Sequence, residues 1–269
     1  MASASSAKDM RFAVDPVAFA MDVLPRIDPD IEKLDTWQEN FLKSRSRRML
    51  INAFRQSGKS TLTGTLALHR ALYYPRSLVL IYAPSLRQAG EFFEKVSTGY
   101  SDLLGEGMAI EAESDRKLGI KLANGSRIEA LPGTQKSTRG FSKPSLIIVD
   151  EAAQIDDSLY TALRPMLIRA KEGGRLLMLS TPYGKRGVFW RLWDTGEIWD
   201  RVHVPYTAVD WMTPSVIEEA RNELLDWEFK QEFLCTFEQN QMAVFNVEDF
   251  RASTTDEFEP IPLRRRRAS

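Results

Sequence analysis

The chain is poor in the groups that build secreted and metal-centred proteins. Its 269 residues contain one cysteine, Cys235, and two histidines. A lone thiol forms no intrachain disulfide, which argues against a disulfide-framed extracellular domain. One cysteine with two histidines is also too small a set for a structural zinc site. No apolar run approaches the roughly 20 residues that a membrane-crossing helix needs. The opening MASASSAKDM lacks the apolar stretch of a secretory leader. Neither sign of charge prevails, since 36 Lys and Arg stand against 37 Asp and Glu. That balance leaves nucleic acid open as a partner, because a local basic surface is what holds phosphates. Core-forming residues are plentiful: 14 Phe and 6 Trp within a 43% hydrophobic chain suffice for one large domain, with or without a small appendage. Collagen-like, coiled-coil and wholly disordered chains are excluded. We expect a soluble intracellular enzyme without membrane association.

Residues 1–12 read as a frayed terminus. Asp15 and Pro16 supply a cap and a first helical position for VAFAMDVLPRI, and Thr36 opens a second short helix. Lys43, Arg45, Arg47 and Arg48 then form a basic cluster that reads first as a solvated edge. From there short apolar strands at 49–54, 77–83, 145–152, 175–182 and 201–206 alternate with helical segments at 59–74, 85–104 and 156–170. Wholly apolar strands separated by helices indicate a mainly parallel sheet covered on both faces, an α/β fold. Residues 117–133 suggest a hairpin, with Asn124-Gly125 in a type I′ turn. Residues 213–237 look helical from Thr213-Pro214 onward, with Trp227, Phe229, Phe233 and Phe237 as a packing face. The expected division is an arm at 1–34, a core at 35–212, a helical lid at 213–245 and a tail at 246–269. Arg264 to Arg267 in that tail suit either a disordered remnant or a phosphate-binding arm.

Chemistry enters at AFRQSGKS, residues 53–60. The spacing follows G-x-x-x-x-G-K-[ST] between a strand and a helix, with Ala53 in place of the first glycine. Arg55, Gln56, Ser57 and Gly58 form the loop. Gly58 permits close backbone approach to an anion, Lys59 offers a point charge to the β- and γ-phosphates, and Ser60 offers a hydroxyl to Mg²⁺. Thr61 continues the first helical turn, whose N–H groups and dipole favour phosphate. Arg55 either reaches toward the γ-phosphate or is an ordinary surface arginine.

Asp150 and Glu151 follow the apolar run Leu146 to Val149, where a parallel sheet presents its active groups. Asp150 is placed to hold magnesium and Glu151 to orient an attacking water, the division that phosphoryl transfer requires. The strand 175–182 ends in Ser180, Thr181 and Pro182, a hydroxyl pair able to sense a γ-phosphate, although such a turn is common. About 90 residues separate Lys59 from Asp150. An additional strand between the two nucleotide-binding strands, with a catalytic glutamate beside the magnesium aspartate, resembles the additional-strand catalytic-glutamate class of P-loop NTPases.

TWQ (36–38), FRQSGKS (54–60), STRGF (137–141), LIIVDEAA (146–153) and LSTPYG (179–184) occur in the order found in large terminase subunits of tailed bacteriophages, and the chain resembles that family over roughly residues 35–240. The resemblance implies an ATP-hydrolysing, Mg²⁺-dependent motor domain that moves double-stranded DNA into a procapsid. It also implies a homo-oligomeric ring, pentameric in the family, portal and small-terminase partners, and work in the cytoplasm of an infected bacterium. By the same resemblance Trp37 and Gln38 match an adenine-reading motif. The residue chemistry agrees, since an aromatic face can stack and an amide can pair with a base edge; the plainer alternative is a core tryptophan beside a solvated glutamine. Arg55 matches a phosphate-loop arginine, and Arg139 matches an arginine finger reaching a neighbouring subunit's ATP, against the plainer reading of a solvated loop arginine. Ser180, Thr181 and Pro182 match a coupling motif. The family's second, nuclease domain is not expected here, because Asp249, Asp256, Glu257 and Glu259 are followed by no strands that would hold them. A helicase-type ATPase and a non-hydrolysing nucleotide-binding assembly protein are the alternatives.

Overall fold

A computed structural model describes residues 2–168, 170 and 174–238. The chain runs α1 (Ala2–Val14), α2 (Pro16–Ile27), α3 (Thr36–Lys43), β1 (Arg48–Ala53), α4 (Lys59–Tyr73), β2 (Leu78–Ala83), α5 (Leu86–Gly105), β3 (Ala112–Arg116), β4 (Gly119–Leu122), β5 (Arg127–Pro132), β6 (Leu146–Val149), α6 (Asp157–Ile168), β7 (Arg175–Ser180), α7 (Gly187–Thr195), β8 (Asp200–Val204), α8 (Pro214–Glu223) and α9 (Asp226–Glu232). The strands form one eight-stranded sheet ordered β3-β4-β5-β2-β6-β7-β1-β8. From β5 to β8 all neighbours are parallel, and only the β3-β4-β5 margin is antiparallel.

The wholly apolar strands have two destinations. Met49, Ile51, Val79, Ile81, Ile148, Leu177 and Leu179 face a core shared with α2, α3, α4 and α5. Their neighbours Leu50, Leu80, Tyr82, Ile147, Val149, Leu176 and Met178 face a second core shared with α6 and α7. Alternation along each strand thus feeds both faces, as a doubly covered parallel sheet requires. β7 lies between β1 and β6. It is the additional strand, and it follows both partners in the chain. SLVLIYA, which fills the sequence gap between them, lies outboard of β6 as β2.

Several expectations need correction. The first residues are helical, and Phe12 of α1 is buried against Phe19 with ring centroids 5.7 Å apart. Asp15 does cap α2, its Oδ1 accepting from the N–H groups of Val17 and Ala18 at 3.0 and 3.1 Å. The hairpin exists, but Asn124-Gly125 is not a type I′ turn. Gly125 has φ +81° while Ala123 and Asn124 keep negative φ, and the Gly125 N–H donates to the Leu122 carbonyl at 2.9 Å. This is a type I turn followed by a left-handed glycine, the three-residue alternative. The segment 213–237 is two helices, broken where Leu224 and Leu225 adopt extended angles. Phe229 and Phe233 stack at 5.1 Å, Trp227 is half-buried, and Phe237 packs against the second core. The periodicity over 187–195 (α7) and the edge strand β3 were not read from the sequence. The tail 246–269, with its acids and arginine run, lies outside the described residues.

Candidate nucleotide site

The loop from β1 to α4 emerges at the carboxyl edge of the sheet. Ala53 is fully buried as the last residue of β1 and pairs with Val204. Its extended backbone explains why alanine replaces glycine without strain. Left-handed angles fall later, at Gln56 (φ +61°) and Gly58 (φ +77°). Such a succession turns backbone N–H groups inward around an anion. Ser57 Oγ is buried without a hydrogen-bond partner among the described residues, a donor left for a ligand.

Lys59 and Ser60 open α4 and point to the end of β6. Lys59 is 6% exposed, and its amine lies 3.4 Å from Glu151 Oε1. Ser60 Oγ lies 3.1 and 3.0 Å from the two oxygens of Asp150. Burial and the adjacent Glu151 charge push the Asp150 carboxyl up to about 6, against the opposing pull of Lys59 and Ser60. A carboxylate so poorly solvated gains from a cation beside it. Glu151 sits in the left-handed region at φ 48°, ψ 46°, a conformation that costs a non-glycine residue on the order of 1 kcal/mol or more. That angle turns its side chain back toward Lys59, and Glu151 Oε2 meets Ser180 Oγ at 3.3 Å. Ser180 Oγ also accepts the Ala153 N–H at 3.2 Å, and Thr181 Oγ1 donates to the Ala53 carbonyl at 3.0 Å. Pro182 follows, buried. The end of β7 therefore touches both the acid and the strand that feeds the loop.

Other sequence candidates fall elsewhere. Thr61 is buried in the first turn of α4. Gln38 is buried too. Its Oε1 accepts the Asp35 N–H at 2.9 Å, and its amide nitrogen lies 3.4 Å from where a Cβ on Gly58 would be. It braces the loop. Trp37 is 8% exposed within the first core, so the core reading holds for its ring. Arg55 turns away from the cluster, its Nε meeting Glu232 Oε2 of α9 at 2.5 Å. Arg139 is exposed after a short 3₁₀ turn and makes no side-chain hydrogen bond or ion pair with the cluster. The sequence reading missed Glu232 and Gln231. The latter accepts the Gly184 N–H at 3.2 Å, tying α9 to the segment after Pro182. No local pattern marks either, since their partners lie far away in the chain.

Residues 50–252 match the family described as terminase large subunit, T4likevirus-type, N-terminal. The chain belongs to this family. It is 29% identical over 204 residues to the terminase large subunit of Escherichia phage T5, covering 72% of this chain and 44% of that protein. It spans under half of that relative's length. The ATPase domain of the Thermus phage P74-26 large terminase superposes with a TM-score of 0.67 at 23% identity, over 81% of this chain and 96% of that one. The large terminase of a thermophilic bacteriophage, solved in complex with ADP, gives 0.62 at 13% identity, over 76% of this chain and 54% of that one. The two structures establish the shared α/β P-loop NTPase fold, and the family displaces the helicase alternative.

Proposed function

We propose that this chain binds and hydrolyses ATP as the motor portion of a viral DNA-packaging terminase, acting in the cytoplasm of an infected bacterium. One observation carries the reading: a lysine amine, a serine hydroxyl and two adjacent carboxylates converge where a phosphate loop opens a helix. Lys59, Gln56, Ser57, Gly58 and the first N–H groups of α4 would bind the triphosphate. Glu151, held by Ser180, would orient the attacking water and accept its proton. No group of three or more His, Cys, Asp or Glu among the described residues can hold a metal on its own. One buried carboxylate beside one hydroxyl is nonetheless what Mg²⁺ uses when phosphates supply further ligands. Asp150 and Ser60 would hold it, and its chemistry would be charge neutralisation on the phosphates.

Arg55 and Arg139 supply the cationic side of catalysis in this proposal. Arg55 would exchange Glu232 for phosphate. Arg139, exposed and without an ion pair among the described residues, would complete the site of an adjacent subunit in a ring around double-stranded DNA, with portal and small-terminase proteins as partners. ATP turnover measured across protein concentration, with and without duplex DNA, tests this. Specific activity should rise with concentration. Mixing Arg139→Ala with Glu151→Gln chains should recover activity that neither has alone. Undiminished ATP binding with no turnover at any concentration would leave only a nucleotide-binding scaffold.

A further inference from the structure

We infer that Trp211 forms the nucleobase-stacking wall of the nucleotide site; this rests on the ATP reading above and deepens it. The segment after β8 passes beside Phe54, at the start of the phosphate loop. Val209 is buried in the first core and Met212 packs against it, so the two residues anchor the segment on either side of Asp210 and Trp211. Trp211 points the other way and is 53% exposed. Its ring stands 5.8 Å from that of Phe54, the residue between β1 and Arg55, with planes tilted by 41°. Phe54 itself is 1% exposed, which fixes this edge of Trp211 in place.

On its other flank, Asp210 pairs with Lys33 at 3.1 Å. Its charge also reaches Asp35, whose carboxyl is raised mainly by burial. Asp35 caps α3, the helix that carries Gln38 to Gly58. Trp211 thus stands beside Phe54 at the entrance of the phosphate loop, while its neighbour Asp210 faces the segment that leads into α3.

Exposed aromatic rings here divide clearly. Tyr74 lies under the Arg70 guanidinium at 4.0 Å and Tyr183 under that of Arg186 at 4.4 Å. Among the described residues, Trp211 has no cation over its ring. A large indole face left open costs hydration, and a purine face is a partner that any π-surface can recover it from. Trp37, the aromatic that the sequence motif offers for this task, is enclosed in the core.

Calorimetric titration of MgATP and of inorganic tripolyphosphate into wild-type, Trp211→Ala and Trp211→Phe chains tests the assignment, with circular dichroism confirming that each variant is folded. Trp211→Ala should weaken MgATP binding by about tenfold, leave tripolyphosphate affinity within about twofold, and abolish the ATP-dependent part of the tryptophan fluorescence change. Trp211→Phe should keep most of the ATP affinity, because a smaller ring still stacks. Equal ATP affinity in Trp211→Ala and wild type would overturn the base-wall assignment while leaving the phosphate site intact. So would an equal loss for tripolyphosphate, which would mark a general distortion of the loop. A wild-type chain that binds neither ligand would overturn the ATP reading and this assignment together.

Discussion

At the carboxyl edge of the sheet, Lys59, Asp150, Glu151, Ser60 and Ser180 join in one cluster of opposite charges and hydroxyls. At the amino edge of the same strands, Arg45, Arg47, Arg48, Arg164 and Arg175 gather, and none has an acidic partner among the described residues. The two edges manage charge differently. Arg48 Nη1 donates to the carbonyls of Arg47 and Gly174 at 2.7 and 2.8 Å, and Arg175 Nε donates to that of Ser46 at 3.0 Å. These guanidiniums close off strand starts by charge-assisted hydrogen bonds to neutral carbonyls. Burial, with Arg164 and Arg47 nearby, weakens the hold of Arg48 on its proton. Both edges bury charge at some cost: Arg175 Nη2 is buried without a hydrogen-bond partner among the described residues, and burial disfavours the charged form of Arg175 as it does of Arg48. The carboxyl edge alone joins acids, a lysine and hydroxyls in one cluster.

The sharpest break of that comparison is Lys59→Ala. It removes the cation from the cluster and leaves Glu151 and Asp150 facing each other. ATP affinity should fall roughly a hundredfold or more, as losing one member of a buried charge pair does. Unchanged affinity by calorimetry would detach the loop from nucleotide. Glu151→Gln comes next: turnover should drop about a hundredfold or more with ATP affinity nearly intact, and retained turnover would remove the acid from the mechanism.

Asp150 tests the cost of function directly. Its carboxyl titrates near 6 in the folded chain against an ordinary value of 3.8. Between those values the native state holds a proton that the unfolded chain has released. The sign follows: stability falls as pH rises from about 4 to about 6, and above that the loss is complete, on the order of 3 kcal/mol. Asp150→Asn should therefore raise the melting temperature of the nucleotide-free chain at pH 7 and flatten its pH dependence over that window. A variant less stable than wild type at pH 7 would show that the carboxylate is held by its hydrogen bonds more firmly than burial opposes it.

The same contrast explains what could be read from sequence. The parallel sheet was legible because strands buried on both faces are continuous apolar runs, and the convergence of Lys59, Asp150 and Glu151 was legible because both motifs stand at strand ends. The topology that puts β7 between β1 and β6 was anticipated only as an additional strand, since no local pattern says which segment supplies it. Contacts between distant segments were not legible at all: Arg55 with Glu232, Thr181 with Ala53, and Phe54 with Trp211 each depend on pairings that only the closed fold brings about. The burial of Trp37 was not legible for a related reason: its place in the first core depends on helices and strands distant in the chain.

The smallest expected effects lie at the amino edge, where they separate two explanations of the arginine cluster. If carbonyl capping is what matters, Arg48→Ala takes a donor from the part-buried Gly174 carbonyl and from the exposed Arg47 carbonyl, and should cost about 1 kcal/mol. Arg47→Ala removes only an exposed side chain and should stay within about 0.5 kcal/mol. Neither should change ATP turnover per folded chain, since both lie at the far end of β1 from Lys59. Denaturant midpoints for the two variants, at low and moderate salt, decide the matter. If Arg47→Ala were instead stabilising at low salt, and the gain vanished as salt rose, repulsion between guanidiniums would be the dominant force at that edge.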